Sequence, residues 1–217
     1  YGCQDINQKD IDEVVSVLKS EFITQGPITP QFEKAVASYS KSKFAVATNS
    51  ATSALHIACL ALELKAGDIV WTSPISFAAS ANCARYCGAE IDFVDIDSDT
   101  FNISIEALTN KLREAESRGK LPKIVIPVHF GGSPCAMKEI YILSKKYGFN
   151  IIEDASHAIG AKLDSHMVGD CHYSDITVFS FHPVKIITSG EGGVACTNKS
   201  ELASSMLRLR THGIIKS

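Results

Sequence analysis

A chain of 217 residues, 45% hydrophobic and 21% charged, has ordinary globular composition and is long enough for one large α/β domain or two small ones. Its formal net charge of -3, with no Lys/Arg cluster, gives no electrostatic reason to expect nucleic acid. No uncharged apolar run approaches the length of a membrane span, and no basic-then-apolar leader opens the chain.

The spacing of Ile11, Val14, Val15, Leu18 and Phe22 predicts an amphipathic helix from about Gln8 to Phe22. A turn at Thr24-Gln25-Gly26-Pro27 follows, and Thr29-Pro30 predicts a second helix, Thr as N-cap and Pro at the first helical position. Strands and helices then alternate, the pattern of a mainly parallel sheet with crossover helices. Phe44 to Thr48 precedes a helix from Ala51 to Leu62, and Asp68 to Trp71 precedes one from Phe77 to Cys87, stopped by Gly88. Ile91 to Val94 leads to a helix from Ser104 to Arg118. Lys123 to Val128 leads to one from Ala136 to Tyr147, ended by Gly148. The apolar run from Phe149 reaches Asp154, and Ile176 to Phe181 stops short of Lys185. Val194 to Cys196 is expected to close the sheet, with a further helix from Glu201 to Arg210. No repeat, linker or low-complexity tract intervenes, so the chain reads as a helical N-terminal arm (1–30) on one large domain (31–217).

The seven cysteines are odd in number and scattered through apolar segments, as small core residues in a reducing compartment are, and the cytoplasm is the expected location. Cys83 and Cys87 would share a helix face, but no second Cys/His pair at ligand spacing accompanies them, so no metal is expected. The start at Tyr1 without Met, and the end at Ile214-Ile215-Lys216-Ser217 without a closing element, suggest the N-terminal portion of a longer chain.

Ligands of open α/β sheets collect beyond the carboxyl ends of strands and at helix N-termini. Lys185 lies in Ser180-Phe181-His182-Pro183-Val184-Lys185, ahead of the glycine-bearing turn Thr188 to Gly193, and offers an amine able to form an imine. Glycines 190, 192 and 193 would let the backbone turn closely around it. Asp154 offers a carboxylate that would keep a pyridine nitrogen protonated, and His157 could bond that carboxylate or meet the ring. Ser180 and the helix start at Asn49-Ser50-Ala51-Thr52 offer donors for a phosphate, and Phe77 a face for stacking on the ring. Pyridoxal 5'-phosphate needs that set. Singly, each has a plain alternative: a surface lysine, a capping aspartate beside a buried histidine, an ordinary helix cap, a core phenylalanine. Their order and spacing together are specific.

Phe179 to Gly193 resembles the lysine motif of the DegT/DnrJ/EryC1/StrS aminotransferases, Glu153 to Gly160 their aspartate motif, and Asn49 to Leu55 their phosphate-binding helix start. The resemblance spans essentially the whole chain. It implies the large domain of a fold-type I pyridoxal-phosphate transferase, an α/β fold with a mostly parallel sheet flanked by helices, the small C-terminal domain missing. Thr24-Gln25-Gly26 and Ser73-Pro74-Ile75-Ser76-Phe77 look most like the branch that serves pseudaminic acid biosynthesis. That likeness implies transfer of an amino group from glutamate to C4 of a nucleotide-linked, UDP-type, 4-keto-6-deoxy sugar.

Carried over on matching positions, the resemblance implies Lys185 as the Schiff-base lysine and Asp154 as the pyridinium partner. It places Ala51, Thr52 and Ser180 at the phosphate and Phe77 on the ring. It puts His157 near the ring oxygen or the aspartate, and His182 beside the lysine. Tyr1, Thr24, Gln25, Gly26 and Pro27 match substrate- or cofactor-reaching positions, although Pro27 stands where relatives also carry a basic residue. A homodimer with shared active sites is implied as well. Two alternatives remain, a pyridoxal-phosphate sugar dehydratase and a non-catalytic domain fragment. The first normally has histidine in place of the lysine. No Gly-x-Gly-x-x-Gly follows any strand, which removes the main support for a dehydrogenase.

Overall fold

The computed structural model describes residues 3–214. The elements run α1 (Gln8–Leu18), α2 (Ile28–Ser40), β1 (Phe44–Thr48), α3 (Ala51–Ala61), β2 (Ile69–Thr72), α4 (Ala79–Tyr86), β3 (Glu90–Phe93) and α5 (Ile105–Ser117). They continue β4 (Ile124–Ile126), α6 (Met137–Tyr147), β5 (Asn150–Asp154), β6 (Lys162–Leu163), β7 (His166–Met167), β8 (Ile176–Ser180), β9 (Gly193–Thr197) and α7 (Ser200–Arg210). Among the described residues no helix is long and apolar enough to cross a membrane.

Seven strands form one sheet in the order β1-β9-β8-β5-β4-β2-β3. Neighbours are parallel except around β9, which is antiparallel to both β1 and β8. Val194 to Cys196 therefore does not close the sheet; β9 is an interior strand. All five of its residues are buried, which an edge strand could not achieve, and β1 takes the edge. The carboxyl ends of β1, β2, β3, β4, β5 and β8 thus share one margin of the sheet, and the first residue of β9 lies on that same margin.

Strand parity decides what faces each layer. Ile124, Ile126, Ile152, Ile176, Val178 and Ala195 pack in one apolar cluster with Ala54, Leu55 and Cys59 of α3, Cys83 of α4 and Met206 of α7. Trp71, Val125 and Ile151 point the other way, into a cluster with Leu108 and Leu112 of α5 and Ile140 of α6. Asp154 follows Ile152 by two residues and Ser180 follows Val178 by two, so both fall on the α3/α4 side. Glu153, in step with Ile151, falls on the opposite face.

Several helix boundaries shift from the sequence reading by a residue or more, α4 for one starting at Ala79 rather than Phe77, and two of the shifts have a clear local cause. α1 stops at Leu18 rather than Phe22, because Ser20 turns its hydroxyl onto the Val17 carbonyl at 2.7 Å and closes the turn. α2 begins at Ile28, with Pro27 at the cap position, so Thr29 and Pro30 lie inside the first turn, where a missing N–H costs little. The β6–β7 hairpin went unread because each arm has two residues, too few for any periodicity. The apolar stripe of α1 stays exposed, Val14 at 60% and Leu18 at 67%, so this helix is not part of the core.

Candidate functional site

The crevice along the carboxyl margin is assembled from β1, β9, β8, β5 and the segment after β2. Its tightest joint is between β9 and α3. A Cβ added to Gly193 would sit 2.3 Å from the Ser50 carbonyl carbon and 2.4 Å from the Ala51 nitrogen. Only a residue with no side chain lets the sheet approach the helix start this closely. Gly193 pairs across the ladder with Ser180, so the same contact brings the Ser180 hydroxyl toward the first turn of α3. The expectation that Gly193 turns the chain around the lysine is thus corrected: it seats α3 on the sheet. Ser50 Oγ accepts from the Ser53 N–H, and the Ser50 carbonyl from Ala54. The N–H groups of Ala51 and Thr52 are left without an intrachain acceptor among the described residues, at the positive end of the helix. These donors suit a phosphate.

Asp154 is buried, and its carboxylate is oriented from two sides. Oδ1 accepts from Ser156 Oγ at 2.6 Å and from the Ser156 N–H at 3.2 Å, while Oδ2 accepts from Ser80 Oγ at 2.6 Å. Neither serine stood out in the sequence. Ser80 is an ordinary small residue of α4 until packing brings α4 over the end of β5. Ser156 could have been suspected, since Ser two residues after Asp is a common local hydrogen-bonding pattern.

Lys185 is not at the strand end itself. β8 stops at Ser180, and a loop carries the lysine back over the crevice. The loop is closed at its base by Phe181 N–H to the Gly192 carbonyl (2.9 Å) and by Ser189 N–H to the Phe181 carbonyl (3.0 Å). Lys185 Nζ lies 2.6 Å from His157 Nε2. Burial holds the lysine below its ordinary range, opposed by the Asp154 carboxylate, which favours the ammonium. His157 is lowered too, chiefly by burial and then by the Lys185 charge, with Asp154 again opposing. Lysine, imidazole and carboxylate therefore form one electrostatic unit.

The remaining predicted residues are dispersed. Phe77 precedes α4 and is 75% exposed, so its ring is not packed in the core. His182 is exposed and lies 4.0 Å from Glu191; its carbonyl accepts from the Lys185 N–H at 2.9 Å. Thr24, Gln25, Gly26 and Pro27 form a largely exposed turn between α1 and α2, with Gln25 in the left-handed region; among the described residues no hydrogen bond joins Thr24, Gly26 or Pro27 to Lys185 or Asp154. Tyr1 lies outside the described residues. The N-terminal segment does reach the lysine loop, Gln4 Nε2 donating to the Pro183 carbonyl at 2.5 Å. No group of His, Cys, Asp or Glu among the described residues could hold a metal ion.

On the other face, Glu153 accepts from Ser174 Oγ (2.5 Å), Thr177 Oγ1 (2.8 Å) and His129 Nε2 (2.7 Å). The Glu153 carboxylate draws His129 toward the imidazolium, whereas the Cys135 N–H donates to Nδ1 at 3.1 Å and needs that nitrogen bare. The backbone donor cannot turn away, so the ring is the neutral tautomer that donates from Nε2. Its hydrogen bond and those of the two hydroxyls hold Glu153 below the usual carboxylate range, against burial.

Amine, buried carboxylate and helix-start donors on one sheet margin define a class: the cofactor-bearing domain of the fold-type I pyridoxal-phosphate proteins. The chain belongs to the DegT/DnrJ/EryC1/StrS aminotransferase family, which it matches over residues 4–217. It is 44% identical over 216 residues to the UDP-4-amino-4,6-dideoxy-N-acetyl-beta-L-altrosamine transaminase of Campylobacter jejuni, covering 100% of this chain and 56% of that protein. Among solved structures, Helicobacter pylori PseC, an aminotransferase involved in pseudoaminic acid biosynthesis, superposes with a TM-score of 0.92 at 32% identity, over 100% of this chain and 57% of that one. The pyridoxal-phosphate form of a sugar aminotransferase from Streptococcus pneumoniae superposes with a TM-score of 0.84 at 29% identity, over 96% and 57%. The chain spans about half the length of the curated relatives it matches.

Proposed function

We propose that this chain is the cofactor-binding part of a pyridoxal-phosphate-dependent aminotransferase. In this reading it moves an amino group from glutamate to C4 of a UDP-linked 4-keto-6-deoxy sugar. The observation that carries the reading is the Lys185 amine, 2.6 Å from His157 and in the field of buried Asp154. Likeness to the altrosamine transaminase supports the choice of sugar.

The residues divide the work. The Ala51 and Thr52 N–H groups and the Ser180 hydroxyl hold the phosphate, and Phe77 covers one face of the ring. Bound there, the cofactor supplies an aldehyde carbon and an electron-withdrawing ring. Asp154 receives the ring nitrogen's proton-bearing side and holds it charged. Lys185, its amine kept more readily uncharged by burial, provides the covalent anchor, and when released moves a proton at its Nζ. His157 orients that amine through Nε2 and takes up or returns the proton. His182, Tyr1 and the Thr24, Gln25, Gly26 and Pro27 turn serve the substrate side. The arm (1–30) and the large domain (31–217) act in the cytoplasm, in a homodimer whose protomers share their active sites.

A panel of UDP- and dTDP-linked 4-keto sugars, offered with glutamate to the full-length protein, tests the substrate. Amination of the UDP sugars is expected; turnover confined to dTDP sugars would reject the assignment of nucleotide.

A further inference from the structure

A chain of two hydroxyls, half-buried Ser76 in the segment before α4 and buried Ser80 on α4, ends on the Asp154 carboxylate. Ser76 Oγ lies 2.5 Å from Ser80 Oγ, and Ser80 Oγ donates to Asp154 Oδ2 at 2.6 Å. Ser80 has one hydroxyl proton, already given to the carboxylate, so Ser76 is the donor in the first contact. Ser80 is 0% exposed, so no solvent competes for its bond to the carboxylate, whereas Ser76 is only half-buried. A carboxylate offers about four acceptor directions over its two oxygens. Oδ1 is filled by the hydroxyl and N–H of Ser156, and Oδ2 by Ser80 alone, which leaves one direction open, on Oδ2.

Resting on the reading of Asp154 as the partner of the ring nitrogen, we infer that Ser80 is a positioning residue for this site. Its bond to Oδ2 sets the rotation of the carboxylate, so that the remaining lone pair of that oxygen meets the nitrogen of the cofactor ring. Ser76 polarises the Ser80 hydroxyl and strengthens it as a donor. Ser80 itself touches no reacting atom. The two oxygens are supported unequally, and this separates positioning from mere packing. Losing the Ser156 hydroxyl leaves Oδ1 its N–H donor, whereas losing the Ser80 hydroxyl strips Oδ2 of its one partner among the described residues.

The test compares the full-length wild type with S80A and S156A, both of which shrink a side chain and leave the backbone unchanged. Two quantities are read: the rise in Tm on saturation with pyridoxal phosphate, and the rate of the cofactor's absorbance change when glutamate is added. S80A is expected to lose much of the Tm rise and roughly tenfold to a hundredfold of the rate, about the worth of one hydrogen bond to a charged group. S156A is expected to lose distinctly less of both. An S80A protein with wild-type values, or an S156A protein as impaired as S80A, would overturn the role of Ser80. A wild type that takes up no pyridoxal phosphate would instead refute the reading of the site itself.

Discussion

Gly193→Ala is the sharpest structural perturbation of the candidate site, because it adds one methyl group at its tightest joint. The new Cβ would lie 2.4 Å from Ala51 N and from Ser50 O, and these are backbone atoms that cannot rotate aside. Restoring ordinary contact at 3.4 Å requires about 1.0 Å of separation between the start of β9 and the start of α3. Overpacking of that size costs about 1–3 kcal/mol. At about 2–4 °C per kcal/mol the Tm should fall by roughly 2–12 °C. The same displacement moves the Ala51 and Thr52 N–H groups away from Ser180. If it costs one charge-assisted bond to a phosphate, pyridoxal phosphate should bind the full-length protein roughly tenfold to a hundredfold more weakly. Thermal melts and equilibrium absorbance titrations read the two effects. Gly190→Ala is the control, since Gly190 has a φ of 81° but nothing within 4 Å of an added Cβ. It should cost about 1–2 kcal/mol of backbone strain and leave cofactor affinity unchanged. A G193A protein with wild-type affinity would refute the placement of the phosphate between α3 and β8.

Asp154→Asn should leave cofactor uptake partly intact while lowering turnover by about 10²–10³-fold, read as kcat against the dissociation constant. The pH dependence of cofactor uptake should show an inflection for Lys185 below the ordinary lysine value of 10.5, since burial favours the free amine. In D154N that inflection should move lower still, because the lost carboxylate was favouring the ammonium; a shift to higher pH would contradict the coupling. His129→Ala strands Glu153 without its imidazole donor and should destabilise the fold by about 1.5–3 kcal/mol in urea melts, the worth of a hydrogen bond to a charged group, with cofactor affinity of the folded protein unaltered. Glu153 is depressed in the folded state, so its stabilisation is present above its ordinary 4.5 and fades as pH falls through the lower folded value. H129A weakens that depression, so its acid unfolding midpoint should rise.

What the sequence made legible followed from local rules. Alternation of strands and helices and the stops at Gly88 and Gly148 placed most elements within a residue or two. Lys185 and Asp154 were legible because their motifs are contiguous. Ser80 was not, because its importance comes from α4 lying over the end of β5, a pairing no local pattern encodes. The interior place of β9 was hidden for the same reason: Val194-Ala195-Cys196 reads equally well as an edge or a central strand. His129 and Glu153, 24 residues apart, become partners only when β4 and β5 run side by side. The stripe of α1 was a correct periodicity, but periodicity identifies an apolar face without saying what, if anything, this chain packs against it.

The central claim is that Lys185 is the covalent anchor of pyridoxal phosphate. The direct measurement is reduction of the cofactor-loaded, full-length protein with borohydride, followed by digestion and mass mapping of the modified peptide. A single reduced pyridoxyl adduct on Lys185, absent from K185A, is expected. An adduct on any other residue, or none on a protein that has bound the cofactor, would contradict it.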